Sequence, residues 1–499
     1  LAFVHLDTRV FPLRGVLVPW FSPRSFRDLA ANEALAATAI FLAACGGSGE
    51  NGEPAIKPFT PNEPFDPDPY PSTYKAYPSA PVLITNATIL DGEGAKIEEG
   101  SLLLQDGKVS AIGADLEAPE GATVIDASGR WVTPGIIDNH SHLGAYPSPS
   151  VSAHQDGNEI SGPVTAEVWV EHGIWPQDPG FDRALAGGVT SLQILPGSAN
   201  LFGGRGITLK NVPARTVQGM KFPAAPYTLK MACGENPKRV YGYGSGTIPG
   251  GAPFSRMGNM AGYRAAWIKA AEYKRKWDKY SAEGGEMPAR DLELDTLAGV
   301  LAGEILVHMH CYRADEMAQI MDLSNEFGYK VTAFHHAVES YKIADKLADY
   351  GACSSMWADW WGFKMEAYDG IPENIPMVHN AGACAIVHSD SDIGIQRLNQ
   401  EAAKSWADGK RVGIDVPIEE AWEWLSLNPA KSLGIDARTG SLKPGKMGDV
   451  VIWSGNPFSV YTKADQVFID GALMYDRADD SVRPVRDFEL GQPGEGDMK

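Results

Sequence analysis

Hydrophobic positions fall into three regimes along the chain. Residues 1–81 hold one short apolar stretch, 34–44, and then a run rich in Gly, Pro, Ser and Glu. From Val82 the pattern becomes short apolar segments, 82–90, 101–104, 108–112 and 123–125, with Gly-containing turns such as Asp106-Gly107 between them. Such spacing predicts strands joined by hairpins. Segments 448–453 and 466–471 read the same way, so the two ends of the folded part are expected to pair into one small β-sandwich.

Between these ends, over 134–434, strand-like runs alternate with helical ones. Strands are predicted at 136–139, 189–195, 227–232, 305–309, 330–334, 352–356 and 383–387. Helices are predicted at 261–280, 314–327, 341–350 and 418–427, the first with Tyr263, Ala266, Trp267, Ala270 and Trp277 at helical spacing. Alternation over this length implies a parallel sheet, most simply a (β/α)₈ TIM barrel, with a doubly wound sheet as the other architecture. Barrels present chemistry at the C-terminal ends of their strands.

Histidines occupy those ends. Pro134-Gly135-Ile136-Ile137-Asp138-Asn139-His140-Ser141-His142 closes an apolar strand with two imidazoles spaced i, i+2. In a strand that spacing points both to one face, within reach of one metal ion. Later apolar runs end in Val307-His308-Met309-His310, Phe334-His335-His336-Ala337 and Ile386-Val387-His388-Ser389-Asp390. Neutral imidazole and carboxylate suit zinc, manganese or iron. His154, His172 and His379 are expected in loops or behind the ligands.

Composition narrows the partners. The formal net charge is −20, and the hydrophobic and charged shares are 44% and 21%, an ordinary globular mix. No long basic run is present, which argues against nucleic acid. The five cysteines (Cys45, Cys233, Cys311, Cys353 and Cys384) form no CxxC pair. That argues against a disulfide framework and a thiolate zinc site, and leaves the four internal ones as core or near-site residues.

Taken together, the strand-end residues resemble the metal ligands of the amidohydrolase superfamily, in its imidazolonepropionase-like and prolidase-like branch, over about residues 82–477. The resemblance implies a metal-dependent (β/α)₈ barrel flanked by a β-sandwich. It implies His140, His142, His310, His336 and Asp390 as ligands, with His308 behind them. It also implies two zinc ions bridged by a carboxylated lysine on the fourth strand. Lys230 matches that position, with Glu235 as the alternative. A metal-bound hydroxide would attack an amide carbonyl, and Asp390 would move the proton.

Deaminases of the superfamily carry glutamate three residues after the strand-five histidine. Here that residue is Arg313, which argues against deamination and suggests an anionic substrate end, unless Asp315 or Glu316 takes the guanidinium. The Gly-rich runs 203–206 and 241–246 are expected to be substrate-covering loops, with Arg205 and Tyr241 as contacts. The expected reaction is hydrolysis of a dipeptide or N-acyl amino acid. The alternatives are a cyclic amide, as for imidazolonepropionase, or a non-catalytic surface-tethered binding protein.

Leu42-Ala43-Ala44-Cys45-Gly46 resembles a bacterial lipobox, with Arg24 and Arg27 upstream of the apolar stretch; an alanine-rich helix is the plain alternative. The expected organisation is therefore a signal-like segment (1–44), a flexible tether from the lipidated Cys45 (45–81), sandwich strands (82–133), barrel (134–434), returning sandwich strands (435–477) and a tail (478–499). It places the protein in the bacterial envelope, lipid-anchored or periplasmic, touching membrane only through a lipid anchor. Its substrate is a small molecule, and a homo-oligomer is compatible with the chain.

Overall fold

The computed structural model describes residues 68–148, 150–243 and 252–482. The signal-like segment, Cys45, most of the proposed tether and most of the C-terminal tail lie outside the described residues.

Five strands open the folded part: β1 (Val82–Leu90), β2 (Lys96–Gln105), β3 (Lys108–Gly113), β4 (Thr123–Asp126) and β5 (Trp131–Pro134). Eight more follow: β6 (Ile136–Ser141), β7 (Val189–Ile194), β8 (Phe202–Lys210), β9 (Thr228–Ala232), β10 (Leu306–Cys311), β11 (Val331–His336), β12 (Cys353–Met356) and β13 (Cys384–Val387). The chain returns with β14 (Val450–Trp453), β15 (Ala464–Ile469) and β16 (Ala472–Asp476).

The first and last sets join, through β5 and β14, into one eight-stranded sheet in which β1 forks to pair with both β4 and β5. The hydrogen bonds thus run through a single branched sheet where a sandwich was expected. Ile84, Ile89, Leu102, Val132, Val450 and Phe468 form its core.

The middle set makes a TIM-barrel-like sheet in sequential order from β6 to β13. Its inner strands are buried on both faces, as the near-continuous apolar runs require. The sheet is nearly closed: Asp390 N–H, just beyond β13, donates to the His140 carbonyl of β6 at 3.0 Å.

One strand departs from the expected parallel arrangement. β8 runs antiparallel to both β7 and β9. It contains the Gly-rich run 203–206, which is therefore a buried strand and no covering loop. A Cβ at Gly204 would sit 2.4 Å from the Val168 carbonyl oxygen, and one at Gly206 would sit 2.5 Å from Thr228 Oγ1. The glycines let backbones approach closely. Arg205 is buried with them, its guanidinium 4.0 Å over the Trp169 ring and its Nε donating to Thr296 Oγ1.

The described end of the proposed tether, 68–81, is docked on the fold. Thr73 N–H donates to the Gln218 carbonyl, Ser72 Oγ to the Lys221 carbonyl and Tyr77 Oη to the Pro213 carbonyl. Asp68 pairs with Lys221, and the Tyr74 hydroxyl donates to Asp470. Asp470 in turn joins Asp449 around the buried Lys210 of β8, at 3.0 Å each, tying the terminal sheet to the barrel. Two tyrosines supply enough buried surface and bonding to hold a segment whose composition reads as unstructured.

Two disulfides also overturn the reading of the cysteines. Cys233, just past β9, bonds Cys311 at the end of β10, and Cys353 bonds Cys384 at the starts of β12 and β13. Sequence spacing hid both pairs because each links neighbouring strands 78 or 31 residues apart. Loop-closure entropy puts the shorter bridge at about 3–4 kcal/mol. A Cys353→Ala/Cys384→Ala variant should unfold at lower urea than the parent, by an amount of that order. An unchanged midpoint would mean the bridge does not stabilise the fold.

The longest helix, Arg256–Glu283, buries Tyr263, Ala266, Trp267, Ala270 and Tyr273 and is capped by Ser255 Oγ accepting from Gly258 N–H. Ala314–Phe327 has the predicted bounds. The 418–427 region breaks instead into short turns ending in helix Leu427–Ser432. Among the described residues no helix is long and apolar enough to cross a membrane.

Candidate metal centre

Five strands deliver the candidate donors to one rim of the barrel. His140 lies in β6, and His142 follows it. Lys230 lies in β9, His310 in β10 and His336 at the end of β11, while Asp390 follows β13. Asp390 Oδ1 lies 3.1 Å from His142 Nε2 and 3.4 Å from His140 Nε2, and Oδ2 lies 3.8 Å from His336 Nδ1. Lys230 Nζ lies 3.5 Å from His140 Nε2. His310 packs against His336 with ring centroids 4.5 Å apart.

Donor atoms of His140, His142 and Asp390 all fall within 4.8 Å of one another, and so do those of His140, His336 and His388. His310 belongs to neither tight group. His388 joins the centre although the resemblance implies only Asp390 from its run; its position at the end of an apolar run is the available signal.

Backbone conformation helps aim these groups. His336 and Asp390 have φ of 68° and 50°, and Ala337 has 39°. Left-handed conformations at non-glycine residues cost on the order of 1–3 kcal/mol and cluster at functional sites. Here they bend the chain sharply as it leaves β11 and β13, turning the side chains across the barrel mouth.

The imidazoles suit a cation. His142 Nδ1 donates to the Leu195 carbonyl at 2.8 Å, which leaves Nε2 as its lone pair. Both ring nitrogens of His310 and Nδ1 of His336 and His388 are buried without a hydrogen-bond partner. Orphaned buried nitrogens at one point are what a metal would satisfy. Burial, then the Lys230 charge, holds His140 well below the usual histidine range; burial does the same for His310 and His336. These three are therefore neutral, as ligation needs. Burial opposes ionisation of Asp390, yet its neighbours, His142 first and Lys230 among them, keep its carboxyl below the ordinary range.

Lys230 is wholly buried, and among the described residues no carboxylate lies in ion-pair range. Its ammonium donates to the Pro196 carbonyl at 3.1 Å. Burial lowers its pKa to about 8. Glu235 turns elsewhere, with Oε1 3.9 Å from Lys364 Nζ. Asp138, two residues before His140, is a further buried acid that the pattern did not flag. It accepts from His140 N–H and from Ser389, and burial raises it to about 7.

None of the three expected substrate contacts lines the cleft that holds Asp390. Arg205 is buried in β8. Arg313 is held bidentately by Asp315, at 2.9 and 2.8 Å, two residues along its own chain. Tyr241 is buried in an irregular turn, Lys238–Tyr243, and the rest of its Gly-rich run lies outside the described residues.

The mouth instead opens into a cleft of about 480 Å³ lined by Tyr312, Trp357, Trp360, Trp361 and Phe363, with Asp390 on its wall. Trp357 stacks on His336 at 4.3 Å, and Trp360 continues the stack at 5.5 Å. Trp360, Trp361 and Phe363 are 42%, 50% and 59% exposed. The run Trp357-Ala-Asp-Trp-Trp-Gly-Phe363 directly after a barrel strand was the signal for this wall. His154, His172 and His379 lie apart from the centre, against Trp175, Trp169 and Trp424.

Residues 131–475 match the sequence profile of the amidohydrolase family. The chain belongs to that family. This amidohydrolase-family chain is 33% identical to the amidohydrolase tasK of Hapsidospora irregularis over 79% of its length, spanning 43% of that larger protein. It is 24% identical to an imidazolonepropionase of Mesorhizobium japonicum over 74% of its length and 90% of that protein's. An amidohydrolase crystal structure from Thermotoga maritima superposes with a TM-score of 0.73 at 34% identity, covering 79% of this chain and all of that one.

Proposed function

We propose that the protein hydrolyses the amide bond of a dipeptide or N-acyl amino acid. The observation that carries this reading is the convergence of imidazoles, Lys230 and Asp390 on one point beside an aromatic cleft. His140, His142, His310, His336, His388 and Asp390 would hold divalent ions, two zinc ions in this reading, with a carboxylated Lys230 between them. A lysine whose pKa burial lowers to about 8 favours the carboxylated form, because only the neutral amine reacts with CO₂. Bound divalent metal supplies a water of lowered pKa and a Lewis acid for the carbonyl.

The protein's own groups do the rest. The aromatic wall of Trp357, Trp360 and Phe363 holds an apolar part of the substrate over Asp390. Asp390 takes the proton of the attacking water as the carbon–oxygen bond forms. It returns that proton to the leaving nitrogen as the carbon–nitrogen bond breaks. With Arg313 occupied by Asp315, apolar contact rather than a guanidinium governs selection.

The imidazolonepropionase relative supports a second reading, a cyclic amide as substrate. The two disulfides support the proposed location in an oxidising envelope compartment; the lipid anchor at Cys45 belongs to the same proposal.

Metal analysis with a screen of mixed dipeptides, N-acyl amino acids and a cyclic imidazolone tests these readings. The expected result is bound zinc, turnover abolished by chelator and restored by zinc, and at least about tenfold preference for a bulky apolar group over an acidic one. Cleavage of the cyclic compound alone selects the second reading. Neither metal nor turnover would favour a binding protein.

A further inference from the structure

Behind the metal centre, three buried imidazoles form an unbroken hydrogen-bonded chain. His140 Nδ1 lies 2.9 Å from His335 Nδ1. His335 Nε2 lies 2.8 Å from His308 Nδ1. His308 Nε2 lies 3.0 Å from the carbonyl oxygen of Ser432. All three rings have no exposed surface.

The end of the chain dictates its direction. A carbonyl oxygen only accepts, so His308 Nε2 carries the proton. A neutral imidazole has one N–H, so His308 Nδ1 accepts from His335 Nε2–H. By the same step His335 Nδ1 accepts from His140 Nδ1–H. Among the described residues neither His335 nor His308 has a carboxylate in ion-pair range, so a second proton on either would be an uncompensated buried charge. His140 Nε2 is then left as a lone pair, facing Lys230 Nζ at 3.5 Å and Asp390 Oδ1 at 3.4 Å.

We infer that His335 and His308 are positioning residues, and that the Ser432 carbonyl, two rings away, sets which nitrogen of His140 faces the metal. Metal-bound histidines ordinarily donate their second N–H to one carboxylate or carbonyl; here two further imidazoles are interposed. The anchor is itself fixed from the His140 side: Asn139 Nδ2 donates to Ser432 Oγ at 2.9 Å and to Ser355 Oγ at 2.7 Å. Ser432 ends helix Leu427–Ser432, so the strand that opens the barrel and the helix that closes it orient the same ligand. His335 and His308 thereby acquire a role distinct from ligation, although both stand on ligand-bearing strands.

Two measurements test this. The first uses metal-free protein with ¹⁵N-labelled histidine, the His140 signals being assigned by their loss in His140→Asn. The expected tautomer is Nδ1–H in the parent. Nε2–H there would overturn the inference whatever the protein's activity. The second measures zinc affinity by titration. His335→Phe, which keeps a ring but no nitrogen, should weaken binding about 10–100-fold. His335→Gln, which keeps a donor and an acceptor, should recover most of it. Parent-like affinity in His335→Phe would also overturn the inference. The zinc measurement rests on the metal reading above, whereas the tautomer measurement does not. A parent that binds no zinc would therefore fail that reading while the chain is still decided by its nitrogens, and a His335→Phe variant that fails to fold leaves the parent spectrum decisive.

Discussion

Replacing Asp390 by asparagine is expected to lower kcat by at least about a thousandfold, the scale of a lost general acid–base group, with little change in melting temperature. Asparagine suits the test because it keeps the side-chain shape and tolerates the left-handed conformation, φ 50°, that this position adopts. The backbone bond from residue 390 to the His140 carbonyl, which helps close the barrel, is also kept. What is lost is the negative charge 3.1 Å from His142 and 3.4 Å from His140. Alanine at the same position removes the side chain entirely and should be equally inactive, with a larger effect on folding. The measurement is kcat and zinc content for both variants beside their melting curves. A variant that retains zinc and turns over at near the parent rate would show that another group moves the proton.

Metal-free protein is expected to lose folding stability, on the order of several kcal/mol, between pH 7.5 and pH 5.5. Burial holds His140, His308, His310, His335, His336 and His388 below the ordinary histidine value of 6.5, with His308 and His388 near 3. Below 6.5 the unfolded chain takes up these protons while the folded chain does not, so stability falls as pH falls. One unit below 6.5, each such group costs about 1.4 kcal/mol.

Asp138 works in the opposite sense. Its folded value of about 7 lies above the unfolded 3.8, so the folded state holds a proton that the unfolded state releases, returning about 2 kcal/mol over the same interval. The net loss is a large part of the ~5–15 kcal/mol that stabilises most folded domains. Bound metal should deepen the acid sensitivity, since protons and metal compete for the same nitrogens. Urea denaturation of chelator-treated protein at the two pH values decides the matter, and equal stabilities would mean these rings are not buried neutral in solution.

Much of the fold was legible because burial writes itself into the pattern. Parallel barrel strands covered on both faces read as unbroken apolar runs, and seven of them stood out. β8 did not, because its glycines, needed for close backbone approach to Val168 and Thr228, look like loop residues. Arg205 was misplaced by the same error. The tether reading failed at 68–81 because composition does not reveal that Tyr74 and Tyr77 find partners in Asp470 and Pro213. For Arg313 the sequence leaves two outcomes open, and the structure takes the local one: acids two and three residues later hold its guanidinium.

The sequence by itself determined the barrel, the strand ends that carry chemistry and the residue types placed there, since these follow from local periodicity and from the few side chains that bind metals. Only the tertiary structure decided which donors meet, which cysteines bond and which histidines stand behind others. Those are relations between strands tens to hundreds of residues apart. Chain spacing carries no record of them, because the angular order of strands around the barrel and the sharp turns after β11 and β13 set the distances.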